Sequence, residues 1–226
     1  MTLAQVDEWN GATRVRFDDA GRRNSLALDT VEQLREILVR DSDRVLVLGS
    51  TAKIVFSAGA DITVDDATRA KISDLLYECY ELMVSRRGLV VAVVEGSAVG
   101  GGSQLASAAD IRVLGARARF KWVGAGHGLV VGAWILPSLL GRSTALDLAM
   151  CSDWVEADDA VRIGLASAVQ RDPWAHTESL LKRFAGLDPQ AVAGFKNLAN
   201  SPDLLQRLAA ERRTNATWGG QAPAKP

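Results

Sequence analysis

The chain has 226 residues, which suits one large domain or one domain with a small appendage. Hydrophobic residues make up 48% of it, enough for a sizeable core, and the formal net charge of −1 argues against nucleic acid as a partner. No apolar run is long enough to span a membrane, and the first residues lack the basic and apolar regions of a secretory signal.

Hydrophobic periodicity divides the chain into short strands and helices. In chain order the predicted elements are a strand in "TRVRFD", a helix in "LALDTVEQLREILVRD", a strand in "RVLVLGS", a long helix from about Thr68 to Arg87, a buried strand in "GLVVAVVEG", a short helix in "SQLASAAD", and strands in "IRVLG" and "ARFKW". Beyond Gly132 the pattern is helical. This order predicts an α/β core, residues 1–187, followed by a C-terminal helical segment, residues 188–226.

Two stretches place small residues directly after an apolar β-type run: "FSAGADI" at Phe56–Ile62 and "VGGGSQLASAADI" at Val99–Ile111. A tight turn after a strand leaves backbone N–H groups without sheet partners, and the first N–H groups of a following helix are also free. Two such turns side by side could offer two donors to one oxygen, which is an oxyanion hole. The alternative is that these glycines only permit close packing of helix on strand. The spacing matches neither a phosphate loop nor a dinucleotide-binding turn.

The order of several segments closely resembles the crotonase superfamily, the enoyl-CoA hydratase and isomerase group. The resemblance lies in "VFSAGADI" and, some forty residues later, "VVAVVEGSAVGGGSQLASAADIRVLGARARF". "GRRNSLALDTVEQL" is similar to the family's N-terminal segment, and "LGRSTALDLAMCSDWVEADDAVRIGLASAVQ" is similar to its helix–turn–helix after the active-site loop. The resemblance covers about Asn24 to Val169, most of the chain.

The resemblance implies a spiral core of ββα units and a C-terminal segment that forms a homotrimer or a hexamer made of two trimers. It implies an acyl-CoA thioester as the ligand, with coenzyme A as part of the substrate and no other cofactor. By motif position, the N–H groups of Ala60 and Gly101 would hold the thioester oxygen as it gains charge. Ala58, Asp61 and Arg23 fall on segments that the resemblance places near the substrate, Arg23 near the CoA phosphates; a solvated basic face is the alternative for the arginine.

The sequence departs from the family at the residues that handle protons. Hydratases of the family carry two glutamates, and here Gln104 and Gly124 occupy their positions, while a third acidic position falls near Gly132. An amide can neither activate water as a base nor protonate carbon at neutral pH, so hydration by the two-glutamate route is doubtful. Gln104 could still hydrogen-bond a water or a polar substrate atom, and glycine at 124 would leave room for a bulkier acyl group.

Other residues could substitute for the missing acids. His127 lies in the loop expected to line the pocket and titrates near neutrality, although a lone histidine is more often structural. Ser103 follows the glycines without an identifiable base to activate it. Asp65 and Asp66 either face the acyl pocket or, the better explanation, cap the long helix. The aromatic residues that flank His127 could line an acyl tunnel or simply fill the core; they are Trp122 and Trp134.

Three functions remain open. The first is an enzyme of acyl-CoA metabolism that stabilises an enolate without paired glutamates, for which decarboxylation of a malonyl-type thioester is the simplest case. The second is a non-catalytic acyl-CoA carrier. The third, a hydrolase, needs a nucleophile that the sequence does not reveal. Cys79 and Cys151 fit free thiols in a reducing compartment, and two cysteines with two histidines give no metal-ligand spacing, so we expect a cytoplasmic protein without a metal.

Overall fold

The computed structural model describes residues 4–200 and 203–220. The strands are β1 Ala4–Trp9, β2 Ala12–Phe17, β3 Ser25–Leu26, β4 Leu46–Ser50, β5 Val55–Ser57, β6 Gly59–Ala60, β7 Val90–Val94, β8 Ser97–Val99, β9 Ile111–Gly115, β10 Arg119–Lys121, β11 Val155–Glu156 and β12 Val169–Gln170. The helices are α1 Leu28–Arg40, α2 Asp66–Ser85, α3 Gly101–Ala108, α4 Leu136–Leu140, α5 Arg142–Cys151, α6 Ala157–Arg162, α7 Pro173–Phe184, α8 Pro189–Ala199 and α9 Leu204–Asn215, with 3₁₀ turns at Ala20–Arg22 and Ala125–His127.

The chain alternates between two sheets. One has the strand order β1-β2-β4-β7-β9-β12 and the other β11-β10-β8-β5, while β3 pairs with β6. Each repeat places its first strand in the six-stranded sheet and its second in the four-stranded sheet before a helix: β4-β5-α2, β7-β8-α3 and β9-β10-α4. This succession is a spiral of ββα units.

The centre of the larger sheet is buried on both faces. Every residue of β4 and of β7 is buried, as expected for parallel strands covered on each side. One face packs on α1 and α2, and the other packs on α7 through a smaller apolar cluster that includes Val47, Val91 and Leu181. The sheet therefore forms a fixed base for the loops at the ends of its strands.

The N-terminal hairpin was missing from the sequence prediction. β1 pairs antiparallel with β2 across Asn10 and Gly11, whose φ angles of 49° and 78° are those of a tight hairpin turn. The signal was present, because Asn-Gly between two β-type runs is the strongest short-range hairpin pattern. The predicted C-terminal segment, 188–226, contains α8 and α9, and its residues 201–202 and 221–226 lie outside the described residues.

Candidate active site

The two small-residue turns meet in the wall of one cavity of about 330 Å³. Ala58, Gly59 and Ala60 come from the first turn, and Val99, Gly100 and Gly101 from the second. The turns lie at the ends of β5 and β8, neighbouring parallel strands of the smaller sheet. Parallel strands bring their carboxyl ends to the same edge, which is why segments forty residues apart in sequence become adjacent.

Glycine is required where the two backbones touch. A β-carbon at Gly59, which has a φ of 87°, would lie 2.6 Å from the carbonyl oxygen of Val99 and 3.1 Å from the nitrogen of Gly101. A β-carbon at Gly102 would lie 2.6 Å from the carbonyl oxygen of Ser57. The two explanations of these glycines, close packing and a pair of backbone donors, are therefore compatible. The close packing that glycine permits is also what brings the two turns together.

Two backbone donors are neighbours at this point. A β-carbon on Gly101 would lie 3.6 Å from the nitrogen of Ala60. Asp61, the next residue, donates its N–H to Leu26 of β3 at 3.2 Å, and successive N–H groups of a strand point to opposite edges, so that of Ala60 points away from β3. Gly101 is the first residue of α3, where an N–H has no partner within the helix.

Gln104 lies in the same wall, one helical turn after Gly101. Only 4% of the residue is exposed, and its Oε1 accepts a hydrogen bond of 2.8 Å from Nε1 of Trp134. The Trp134 ring stacks on Tyr80 at 5.9 Å. Trp134 itself lies outside the cavity wall, so its predicted role in lining a tunnel is replaced by one in holding Gln104.

Gly124 lies in the wall, but the expected space beside it is filled. A β-carbon at this position would overlap the side chain of Val131 and lie 2.9 Å from the carbonyl oxygen of Leu129. The prediction that glycine at 124 admits a bulkier acyl group is therefore wrong. The sequence could not show this, because the loop from Leu129 to Val131 folds back over the position.

His127 is half-buried and lines the cavity. Its backbone is fixed, since its N–H donates to Gly124 at 2.8 Å and its carbonyl oxygen accepts from Nε1 of Trp218 at 3.0 Å. The imidazole has no hydrogen-bond partner within residues 4–200 and 203–220. Burial lowers the pKa of His127 below its usual 6.5, so the ring is neutral at pH 7 and able to accept a proton.

Three more predicted substrate-binding residues lie outside the cavity wall. Asp61 is buried, where its carboxylate accepts from the backbone N–H and hydroxyl of Thr63 at 2.9 and 2.6 Å. Trp122 is fully buried and stacks on Phe120 in the core. Arg23 is exposed, and its predicted contact with the CoA phosphates stays a prediction.

The other candidate acids and nucleophiles have structural partners. The Ser103 hydroxyl donates to Ala98 at 2.7 Å inside the core, away from any base. Asp65 caps α2 by accepting from the N–H of Thr68 at 3.0 Å, and Asp66 pairs with Arg69. No aspartate or glutamate of the described chain lines the cavity.

One face of α2 supplies cavity residues that the sequence prediction missed: Arg69, Ser73, Leu76, Tyr77 and Tyr80. Their spacing of four, three, one and three residues places them on one side of a helix, so the periodicity contained the signal. The periodicity does not show, however, which side of α2 faces the two turns. Trp218, beyond α9, completes the wall and is likewise missed.

A buried carboxylate stands directly behind the cavity. Glu211 of α9 is 4% exposed and accepts from the Tyr77 hydroxyl at 2.9 Å and from the backbone N–H groups of Gly132 and Trp134 at 3.1 and 2.8 Å. Burial raises the pKa of Glu211 to about 7, against the opposing effect of these hydrogen bonds. The third position where family members place an acid, near Gly132, thus has a carboxylate beside it that comes from α9.

The spiral of ββα units with a cavity between paired turns is a crotonase-type fold, as predicted. The structure superimposes on an enoyl-CoA hydratase from Bacillus halodurans with a TM-score of 0.86 at 20% identity, covering 97% of this chain and 96% of that one. It superimposes on an enoyl-CoA hydratase/isomerase from Mycobacterium paratuberculosis with a TM-score of 0.83 at 27% identity, covering 96% and 95%.

Residues 7–219 match the family model for enoyl-CoA hydratase/isomerase, and the chain belongs to that family. It is 28% identical to the "Probable enoyl-CoA hydratase echA6" of Mycobacterium leprae, over 96% of this chain and 91% of the relative. It is 34% identical to the "Probable enoyl-CoA hydratase echA12" of the same organism, over 91% and 71%. The predicted family is confirmed.

None of the helices within the described ranges is both long and apolar enough to cross a membrane. In the same part of the chain, no three His, Cys, Asp or Glu side chains are grouped so as to hold a metal ion.

Proposed function

We propose that this protein binds an acyl-CoA thioester in the cavity and stabilises the enolate that forms at the carbon next to the thioester carbonyl. The observation that carries the proposal is the approach of the two turns, which leaves the N–H groups of Ala60 and Gly101 adjacent in one wall. The coenzyme A portion belongs to the substrate, and the chemistry needs no separate cofactor. The relatives named as enoyl-CoA hydratases agree with a thioester ligand.

The two donors would act on the charge that develops at the thioester oxygen. In an enolate the oxygen carries most of the negative charge, and donors fixed by backbone packing need no reorganisation to meet it. Removal of one donor from such a hole costs about 3 kcal/mol of barrier, or a factor of about 100 in rate. The apolar surroundings, which include Leu76 and Val131, strengthen this interaction by excluding water.

Decarboxylation of a malonyl-type thioester is the reaction that this wall suits best. The bond between C2 and the carboxyl carbon breaks, its electron pair moves into the enolate, CO₂ leaves, and C2 then takes a proton from water. No general base is required for the bond-breaking step. Hydration by two carboxylates has no support in the wall, where Gln104 is an amide and Gly124 has no room for a side chain.

A carrier function is the second candidate. It is favoured by the absence of any carboxylate among the described residues that line the cavity. In this case the same two donors would hold the thioester without turnover.

The test compares wild type with Gly101→Pro and Gly101→Ala. Proline fits the first position of a helix but has no N–H, whereas alanine keeps the donor and places its β-carbon 3.1 Å from the mobile Cδ1 of Leu76. Turnover and calorimetric binding are recorded for malonyl-CoA, crotonyl-CoA and a long-chain acyl-CoA. We expect Gly101→Pro to lower kcat/KM about 100-fold relative to Gly101→Ala.

The other outcomes are informative. Binding without turnover across the panel would support the carrier. Rapid hydration of crotonyl-CoA that survives Gln104→Ala would show that this protein hydrates an enoyl thioester without carboxylates at positions 104 and 124. Failure of every thioester to bind would contradict the proposal.

A further inference from the structure

Two successive residues directly before β3 have a left-handed backbone. Arg23 and Asn24 have φ angles of 55° and 51°, which residues other than glycine seldom adopt. Backbone strain of this kind persists only where the surrounding contacts hold it in place, and it is concentrated at functional sites. Asn24 is only 2% exposed, so the contacts that hold this pair of residues are those of a buried side chain.

The carboxamide of Asn24 has one direction, which its hydrogen-bond partners fix. Its Oδ1 accepts a hydrogen bond of 2.8 Å from the backbone N–H of Asp19, a group that can only donate. Its Nδ2 donates to the carbonyl oxygens of Val55 and Phe56 at 3.3 and 3.1 Å, groups that can only accept. The same Nδ2 donates to the hydroxyl oxygen of Ser50 at 2.7 Å. Both polar atoms of the side chain are therefore satisfied, and the amide cannot be turned around.

These bonds reach the strand that leads into the first small-residue turn. The carbonyl oxygen of Asn24 accepts from the Ser57 hydroxyl at 2.8 Å, and that hydroxyl oxygen accepts from the N–H of Gly59 at 3.1 Å. Between them, the N–H of Ala58 donates to the carbonyl oxygen of Arg23 at 3.0 Å. The left-handed pair therefore holds the beginning of the turn through its backbone as well as through a side chain.

The strand that follows Asn24, β3, holds the other end of the same turn. In it Leu26 pairs with Ala60, and its carbonyl oxygen accepts from the N–H of Asp61 at 3.2 Å. Asn24 thus lies where the contacts to the residues before the turn meet the contacts to the residues after it. The N–H of Ala60 lies between these contacts, so its position depends on the conformation at residue 24.

We propose that Asn24 is a positioning residue for the oxyanion hole, whose carboxamide holds the first turn so that the N–H of Ala60 stays beside that of Gly101. The inference rests on the proposed function and adds to it a residue that acts without touching the thioester. Asn24 lies outside the cavity wall, so its effect passes through the turn. A displaced donor weakens the interaction most when the oxygen carries charge, so the rate should suffer more than binding.

The experiment records the infrared carbonyl band of butyryl-CoA that carries a heavy carbon isotope at the thioester carbonyl. Two N–H donors polarise the bound carbonyl, so in wild type the band should lie at lower frequency than for the free thioester in buffer. Asn24→Asp keeps the size of the side chain but turns an oxygen toward the carbonyl groups of Val55 and Phe56. Its band should move back toward the free value, as it should in Gly101→Pro, which lacks one donor.

Asn24→Gly separates the side chain from the backbone. Glycine adopts the left-handed conformation freely, so a change in this variant comes from the missing carboxamide. The band should move back less than in Asn24→Asp, because no oxygen is turned toward a carbonyl group. On a thioester that wild type turns over, both variants should lower kcat at least about tenfold, the effect of a misplaced group. KM should change by less than about threefold, because ground-state binding depends less on this donor.

Asn10→Asp is the matched control. Asn10 also has a left-handed backbone, with a φ of 49°, but it is exposed in the hairpin between β1 and β2 and lies outside the cavity wall. Its variant should keep the wild-type band and the wild-type kcat. All variants are compared as folded proteins, which circular dichroism verifies.

The outcomes separate this inference from the proposed function. A wild-type band in either Asn24 variant, or an equal change in Asn10→Asp, overturns the inference and leaves the proposed function standing. Butyryl-CoA that fails to bind wild type, or that binds with an unshifted carbonyl band, overturns the proposed function itself.

Discussion

At the scale of single residues, Gly124 lies in the cavity wall, but the space predicted beside it is filled by neighbouring residues. Its φ of −58° and ψ of −44° suit any residue, so the requirement for glycine is steric. The Val131 side chain occupies the site where a β-carbon would lie. The position therefore cannot hold the glutamate of a hydratase without displacing the loop.

A substitution of Gly124 by alanine should measure this crowding. We expect Gly124→Ala to lower the free energy of unfolding by about 1–3 kcal/mol, the usual cost of overpacking. Gly126→Ala is the matched control, because a β-carbon at Gly126 meets nothing within 4 Å. Val131→Gly should remove most of the cost in a double-mutant cycle measured by denaturant unfolding. Equal stabilities of the Gly124 and Gly126 variants would contradict the explanation.

His127 is the one histidine in the cavity wall, so its variant tests whether it moves a proton. On a thioester whose turnover requires a base to remove a proton, His127→Ala should lower kcat at least about tenfold, whereas decarboxylation, which needs no base, should not depend on this residue. Because burial lowers the pKa of His127, its neutral form persists below pH 6.5, and the wild-type rate should fall only as the pH drops through that lowered value. This acid limb should vanish in the variant.

The control for that experiment is the chain's second histidine. His176 lies on α7, outside the cavity, and His176→Ala should leave the pH profile as it is in wild type. A His127→Ala enzyme with the wild-type rate and the same acid limb would remove His127 from the mechanism.

At the scale of elements, the sequence predicted the helices and strands that have a clear hydrophobic pattern of their own. The long helix predicted from Thr68 to Arg87 is α2, and the buried strand in Gly88–Gly96 contains β7. The two-residue strands β3 and β6 were not predicted, since a pair so short is defined by its partner across the chain. The same limit applies to the loop from Leu129 to Val131, because the backbone of Val130 is held by two hydrogen bonds with the side chain of Asn215 on α9.

A second contact from α9 is made by Glu211, which accepts from the backbone N–H groups of Gly132 and Trp134, and it predicts a pH-dependent stability. Burial raises the pKa of Glu211 from 4.5 to about 7, so the folded chain holds a proton that the unfolded chain has lost. Stability should therefore fall as the pH rises from about 4.5 to about 7, by up to roughly 3 kcal/mol from this group, and then level off.

Glu211→Gln removes this titration. Between pH 5 and pH 7, its free energy of unfolding in urea should vary less than that of wild type, although one backbone N–H loses its acceptor and lowers the value overall. Glu178→Gln, at a partly exposed position on α7, serves as the control and should run parallel to wild type. Parallel curves for wild type and Glu211→Gln would rule out a titrating Glu211.

At the scale of the whole molecule, the sequence predicted the fold and the two turns but not the wall opposite them. The turns are contiguous motifs, and their meeting follows from neighbouring parallel strands. Tyr77, Glu211 and Trp218 reach the site from α2, from α9 and from the residues beyond α9, and no local pattern connects them. The hydrogen bonds from Trp134 to Gln104 and from Tyr77 to Glu211 likewise join residues separated by 30 positions or more.

The predicted division into a core, 1–187, and a helical segment, 188–226, can be tested at a buried ion pair. Lys196 of α8 is 5% exposed, and its ammonium donates to Asp110 at 2.8 Å and to the carbonyl oxygens of Met83 and Gly88 at 2.9 and 3.1 Å. Burial lowers the pKa of Lys196 and the Asp110 carboxylate opposes this effect. These bonds fasten α8 to the end of α2 and to the larger sheet.

If this attachment makes the helical segment part of one cooperative unit, Lys196→Met should lower the free energy of unfolding by about 3–5 kcal/mol, because Asp110 and two carbonyl groups lose their partner. Unfolding should still follow a single transition, with circular dichroism and tryptophan fluorescence coinciding. Lys182→Met, which removes an exposed pair with Glu178, should change stability by less than about 0.5 kcal/mol. Two separated transitions in Lys196→Met, or no loss of stability, would instead mean that α8 and α9 fold independently of the core. The boundary at residue 188 would then separate two cooperative folding units.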